Sequence, residues 1–488
     1  MRVIPKLQKQ LSITQLEQLH ACALELCKNF GVKIHSDALR ARFQGRDGVE
    51  VRGESVCFAP WLINRYLEEQ RNLQTVSETK NSITVSPYDY ASNIVDMDSG
   101  IIRPITSNDL IEITKLVHSL NVAGYPIIGG CPGFAQDLPE QMRSLFQYKT
   151  AIEFSSNGYE YDAPTIRVQE YISRMSVAAG KMQMTHKSSP ETPYLNKMAE
   201  AANIGTHIGL YMFNPLRVDE SSLQRAVHFI DLGLAAGLSV TTMPLFGATT
   251  PIHLSLALSQ SMAECLGGMA LLKLLTGKPF VSFCVALFSF DMLYANISLG
   301  SAEEAIFAVL CREINEYYGV DTANRYIFSS AKQHNAQSAS EKTMGMLYKA
   351  LAGVSHFTVA GATASTVFSI EQLVIDCEIA RMVNRLLQGV DIDDPSAHLS
   401  IMRDCYESGQ FLDHDSTLEG FRDVYFMPQL FSHDAYKQRP DLLPGSLAEQ
   451  ARSTAKAMIA SHNYSVDVDI FKKLEEIYAE AEKELTAK

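Results

Sequence analysis

The sequence predicts a mixed α/β fold, a (β/α)8 TIM barrel with N-terminal and C-terminal helical extensions, and two observations carry that expectation. From Ile83 onward, short apolar runs alternate with long amphipathic stretches, the mark of βα units that pair as a parallel sheet. The runs number eight: ITVS at 83–86, YPIIGG at 125–130, AIEFSSN at 151–157, IGLYMF at 208–213, LSVTTMP at 238–244, FVSFCVAL at 280–287, RYIFSS at 325–330 and HFTVAG at 356–361. Eight parallel strands, each followed by a helix, close on themselves more naturally than they form an open sheet. No GxGxxG turn opens a helix after the first run, which argues against the doubly wound alternative.

Ahead of the first run, residues 1–80 read as an N-terminal elaboration. Ser12 and Gln15 make an S-x-x-Q capping box, Leu16, Leu19, Ala23 and Leu26 recur at helical spacing, and Gly31 supplies a stop. Strand-like pieces follow at Val49 to Val51 and Val56 to Ala59, and a second helix begins near Pro60. Residues 81–385 are assigned to the barrel. There Leu110, Ile113, Leu116, Val117 and Leu120 form one stripe after Thr106 and Ser107, Ser301 and Glu304 form a capping box, and Gly277, Gly319 and Gly353 stand at expected helix stops. Residues 386–488 are more charged and helical, ending in VDIFKKLEEIYAEAEKEL, and read as a C-terminal extension packed on the barrel.

Composition narrows the function classes. With 46% hydrophobic and 20% charged residues among 488, the chain is an ordinary globular protein. A net charge of −13 without any Lys/Arg-rich run excludes nucleic acid as a partner. No window reaches the roughly 18 apolar residues of a membrane span, and the N-terminus has no long apolar run, so a cytoplasmic protein is expected. The nine cysteines are dispersed, with no CxxC pair and no His at ligand spacing beside them. They are expected to be buried thiols without disulfides, and no metal of the protein's own is expected.

A TIM barrel carries its active site where the strands end. Past the runs stand Tyr88 and Tyr90; Gly130 to Phe134; Asn157, Tyr159 and Tyr161; Asn214; Thr242 to Phe246; Phe288, Phe290 and Tyr294; and Lys332, Gln333 and His334. His356 opens the last run, with Thr366 and Phe368 beyond it. Such a rim is aromatic and nearly uncharged, and the chain has no GxSxG, no HExxH and no matched carboxylate pair. Hydrolase chemistry is disfavoured. Any one aromatic is equally at home in packing, but several converging on one mouth suit a quaternary ammonium, a cation that hydrogen bonds cannot satisfy. The expected binding set is Tyr88, Tyr90, Phe288, Phe290, Gln333, His356, Phe368 and Asn214, with no catalytic acid or base.

Longer blocks carry a resemblance. SVTTMPLFGATTPIHLSLALSQSMAECLGGMALLKLLTGKPFV, SLGSAEEA, SSAKQHNAQSASEKT, SIEQLVIDCEIARMVNRLLQGVDIDD and GQFLDHDSTLEGFRDVYFMPQLF follow one another in the order of the trimethylamine methyltransferase superfamily. LSITQLEQLHACALELCKNFGVKIHSDALR and SGIIRPITSNDL are similar to that family's opening, so the resemblance spans essentially the whole chain. It implies a barrel that docks a separate corrinoid protein over its mouth, with the cobalamin supplied by that partner and none held tightly by this chain. It also implies self-association. Founding members carry pyrrolysine in the block after the seventh strand; this chain has ordinary residues there, Lys332 to His334, so it resembles the non-pyrrolysine members that demethylate betaines.

On that resemblance, the expected function is transfer of a methyl group from a small quaternary amine of betaine type, such as glycine betaine, to Co(I) of the corrinoid. Such an amine leaves as a neutral tertiary amine, so positioning and desolvation suffice. A betaine's carboxylate needs a donor: His356 is the first choice, with Gln333 and Asn214 as neutral alternatives and Lys332 as a further cation. Two other functions remain open at this stage. A non-catalytic quaternary-amine binder would keep the aromatics but transfer no methyl to reduced corrinoid. Methyl transfer between corrinoid and tetrahydrofolate would call for Asp and Asn side chains around a pterin.

Overall fold

A computed structural model describes residues 2–73, 82–88, 90–156, 160–161, 165–180, 184–185, 206–231, 235–362, 366–433 and 445–487. The expected boundary at 80/81 lies outside them, as do Asn157 and Tyr159 of the expected rim. Five parallel strands organise the molecule: β1 (Thr84–Pro87), β2 (Thr206–Phe213), β3 (Ala235–Thr242), β4 (Ser282–Cys284) and β5 (His356–Val359). Each lies on one of the eight apolar runs.

The pairing of these five strands falls into two arcs. In one, β2 pairs with β3 and β3 with β4, as in Leu210↔Val240 and Val240↔Phe283. In the other, β5 pairs with β1 from His356↔Thr84 to Val359↔Pro87. Single parallel bridges flank the second arc, Val85 to Ile127 on one side and Tyr326 to Thr358 on the other. The first and last apolar runs are therefore neighbours, and the runs at 125–130 and 325–330 contribute one bridge each instead of full strands. Among the described residues the ladders do not join into one ring.

One run is overturned. Residues 151–154 of AIEFSSN belong to the helix Glu140–Phe154, not to a strand. Leu145, Tyr148 and Ile152 are all buried and recur at helical spacing, so the longer 3.6-residue period prevails over the local Ala-Ile-x-Phe pattern.

The helix ends follow their local chemistry. Ser12 and Gln15 form the reciprocal capping box of the helix Ile13–Asn29. Ser301 caps Ala302–Tyr317 by accepting from the Glu304 backbone N–H. Gly277 closes Leu254–Thr276 at φ +66°, a left-handed conformation that glycine adopts without a Cβ clash. That 23-residue helix is buried from Ala257 to Lys273, which explains its apolar sequence on every face.

The N-terminal segment extends the first arc's sheet. Arg217–Val218 pairs antiparallel with β2 and parallel with Val32–Lys33, and the hairpin Val49–Arg52/Ser55–Phe58 continues from there. Hydrophobic residues gather in two cores. One unites this sheet with the helices Ile13–Asn29, Pro60–Arg71 and Leu254–Thr276. The other unites β1 and β5 with the helices Ser107–Val122, Glu140–Phe154 and Ile370–Leu387 and the C-terminal helices Leu447–Ala460 and Val468–Leu485. No helix of the described residues is long and apolar enough to cross a membrane.

Candidate functional site

A cavity of about 760 Å3 lies between the two cores, bordered by residues of both arcs. Tyr88 leaves the end of β1, its backbone N–H donating to the Val359 carbonyl at 3.0 Å. Its ring meets Phe328 edge-on at 4.9 Å between centroids and lies 6.3 Å from Tyr326 and 6.2 Å from Tyr90. Tyr326 and Phe328 stack on each other at 5.1 Å. All four rings border the cavity, as does Phe288.

Of the expected binding residues, the fold brings Tyr88, Tyr90, Phe288 and Asn214 to this cavity. The other four stand elsewhere. Phe290 pairs with Ile297 in a short hairpin, and it is Ile297 that borders the cavity. Gln333 is exposed, like Lys332. Phe368 is fully buried in the core beside β1 and β5. His356 Nδ1 lies 2.8 Å from Thr84 Oγ1 and Nε2 lies 3.1 Å from Ser86 Oγ, so both ring nitrogens face hydroxyls across the β1–β5 ladder. Because the two strands are parallel, His356 opens β5 at the edge opposite the one where Tyr88 leaves β1.

Residues the sequence reading passed over complete the site. Tyr326 and Phe328 occupy alternate positions within RYIFSS, the spacing that puts two side chains on one side of an extended segment. Glu264, the one acid in the run SMAECLGGMALL, is fully buried behind the wall. It accepts from Thr242 Oγ1 at 2.5 Å, Gln260 Nε2 at 3.0 Å, the Leu216 backbone N–H at 3.1 Å, and Asn214 Nδ2. Burial pushes its carboxyl above the usual glutamate range, and these donors oppose the shift. Asn214 and Thr242, both on the cavity wall, are thus braced by one buried carboxylate.

Four charged residues border the cavity among the described ones: Asp219, Arg225, Glu304 and Arg325. Glu304 is met by Lys349 Nζ at 2.6 Å and by Asn324 Nδ2 at 3.4 Å. Asp219 accepts from Ser221 Oγ and the Ser222 backbone N–H. Among the described residues neither carboxylate is hydrogen-bonded to a histidine or a cysteine. Among the described residues no group of three or more His, Cys, Asp or Glu is placed to hold a metal ion.

The family profile "Trimethylamine methyltransferase (MTTB)" matches residues 2–486. The chain belongs to the trimethylamine methyltransferase family. Its relatives include the glycine betaine methyltransferase of Desulfitobacterium hafniense, 22% identical over 496 residues, with 97% of each chain covered. The trimethylamine methyltransferase MttB of Methanosarcina barkeri is 26% identical over 493 residues, covering 96% of this chain and 94% of the relative. That of Methanosarcina thermophila is 22% identical over 478 residues, covering 94% and 95%. As a member of a methyltransferase family, the chain is an enzyme of group transfer.

Proposed function

We infer that this methyltransferase takes a methyl group from a small quaternary amine of betaine type and delivers it to Co(I) of a corrinoid carried by a separate protein. The observation that carries this reading is the convergence of Tyr88, Tyr90, Tyr326, Phe328 and Phe288 on one cavity. Their ring faces offer negative electrostatic potential to a cation that has no N–H to donate, and each desolvated contact is worth about 1–2 kcal/mol.

The acceptor is a second substrate; Co(I) supplies the nucleophile. The task of this chain's residues is to hold the ammonium head, exclude water from it and aim one methyl outward along the line of attack. The departing tertiary amine is neutral, so no proton has to be given to it. The two acids on the cavity wall among the described residues, Asp219 and Glu304, are each held by donors of their own, which suits that chemistry. Phe213 and Met243, which follow the course of β2 and β3 to their C-terminal ends, border the cavity and are about half exposed at 59% and 46%, so access from that edge is available to a docked partner.

The same reading takes the two parallel arcs as parts of one (β/α)8 barrel. Support comes from the pairing of β1 with β5, since a closed barrel requires its first and last strands to be neighbours. It also takes the protein as a cytoplasmic homo-oligomer with no tightly held metal of its own.

The test is a panel of quaternary and tertiary amines assayed with Co(I) cobalamin as acceptor, followed by loss of the Co(I) absorbance. Methylation with a betaine and formation of the matching tertiary amine are expected. Binding of betaines with no transfer under any acceptor condition would leave a binder, and transfer only to or from tetrahydrofolate would place the enzyme in the other half-reaction.

A further inference from the structure

Arg325 borders the cavity half-buried, and among the described residues no carboxylate pairs with its guanidinium. The two acids on the same wall are engaged elsewhere, Glu304 by Lys349 and Asp219 by serine donors. A guanidinium stays charged at any pH the protein survives. When a ligand fills the cavity, that charge loses water, and an anion in the ligand is what can offset the loss.

The ladder fixes where Arg325 stands relative to the aromatic cluster. Val359 pairs with Pro87, so Tyr88 is level with Ala360; Tyr326 bridges Thr358, so Arg325 is level with Phe357. Three residues of β5's course separate Arg325 from Tyr88, roughly 10 Å at the rise of a strand, with Tyr326 and Phe328 at levels in between and beside Tyr88. The strands run toward Tyr88, so Tyr88 and Phe328 are nearer their C-terminal edge and Arg325 nearer the opposite one, with Tyr326 between them. Exposed Phe213 and Met243 mark the C-terminal edge as the open one. A methyl offered to an external acceptor faces that edge, and the remainder of the substrate trails inward toward Arg325.

We propose that Arg325 is a specificity-determining residue that binds the carboxylate of a zwitterionic substrate while the aromatic cluster holds its ammonium head. This deepens the methyl-transfer reading and rests on it for the orientation of the substrate. A simple monocation such as tetramethylammonium meets the same rings but is repelled by the inner positive charge; a molecule with a carboxylate a few bonds from its ammonium finds both ends met. The planar guanidinium offers two parallel N–H donors to a carboxylate, a match that lysine does not reproduce.

The test compares the unaltered 488-residue chain with its R325Q, R325M and R325K variants, measuring Kd for glycine betaine and for tetramethylammonium by calorimetry alongside methyl transfer to Co(I) cobalamin. The preference for betaine over tetramethylammonium should fall by roughly 10- to 100-fold in R325Q and R325M, the range of a lost charge-assisted pair. R325K should recover part of it. A preference unchanged in all three variants, or one that moves with R225Q in place of R325Q, overturns the assignment. If the preference tracks Arg325 but the unaltered protein methylates cobalamin from no quaternary amine, Arg325 stands as the anion site and the methyl-transfer reading is what fails.

Discussion

Lys349 Nζ lies 2.6 Å from Oε1 of Glu304, with the lysine fully buried and the carboxylate bordering the cavity. The same ammonium donates to the Tyr326 carbonyl at 2.8 Å, so one buried cation joins the helix Ala302–Tyr317 to the segment that carries two of the aromatic rings. Removing one partner of a buried pair leaves the other uncompensated, which costs about 3–5 kcal/mol. K349M should lose stability in that range, read from the denaturant midpoint at unchanged slope. The double variant K349M/E304L should regain much of it, since apolar replacement of both partners leaves no stranded charge. A double variant as unstable as K349M would show that the pair is not the source of the loss.

Glu264 gives the fold a pH dependence of definite sign. Burial raises its carboxyl above the ordinary glutamate range, so the folded protein holds this proton at pH values where the unfolded chain has released it. Stability is then fully present below the unfolded pKa and declines as pH rises through the shifted value. E264Q cannot titrate. The stability of the unaltered protein relative to E264Q should therefore fall as pH climbs from the ordinary glutamate range toward neutrality, measured by urea unfolding at several pH values. A difference that is flat, or that grows with pH, would mean that the Asn214, Thr242, Gln260 and Leu216 donors outweigh burial.

Much of this architecture was legible because it rests on local signals. Ser12 with Gln15, Ser301 and Gly277 mark helix ends through bonds made within a few residues, and the apolar runs of β2 and β3 are long enough to show as strands. AIEFSSN looks strand-like within its own seven residues, but the helical period that decides its structure extends back through Leu145. At the site, Tyr88, Tyr90, Phe288 and Asn214 are legible because they stand just past apolar runs. Tyr326 and Phe328 are not, because they lie inside a run that contributes only one bridge, and Arg325 stands just before them. Glu264 was hidden in a helix whose neighbours are apolar; its role depends on Asn214, fifty residues away in sequence, and only the fold brings them together.

The aromatic cluster and the core should separate cleanly under mutation. Y88L and F328L keep most of the apolar volume and remove the ring, so each should weaken tetramethylammonium binding by about 1–2 kcal/mol, roughly 5- to 30-fold in Kd. F368A acts elsewhere: Phe368 is fully buried and does not border the cavity, so its truncation should cost about 3–5 kcal/mol of folding stability. Calorimetric titration with tetramethylammonium, paired with denaturant unfolding, reads both. Loss of affinity in F368A equal to that in F328L, at a ligand concentration and temperature where both remain folded, would dissolve the distinction.

Gly361 supplies the last constraint on the cluster. A Cβ at this position would stand 2.4 Å from Cδ1 and 2.6 Å from Cε1 of Phe328, so alanine cannot be accommodated unless the ring moves. Phe328 in turn meets Tyr88 edge-on and stacks on Tyr326, so its displacement would disturb three rings together. G361A should therefore cost about 1–3 kcal/mol of stability by overpacking and should also weaken quaternary ammonium binding. The informative comparison is a double-mutant cycle. In an F328A background the side chain ends at Cβ and lacks the Cδ1 and Cε1 atoms that G361A would strike, so the second change should add little to the loss of affinity, and the two effects should be strongly non-additive. Fully additive losses would mean that Gly361 acts on binding through some other contact than Phe328.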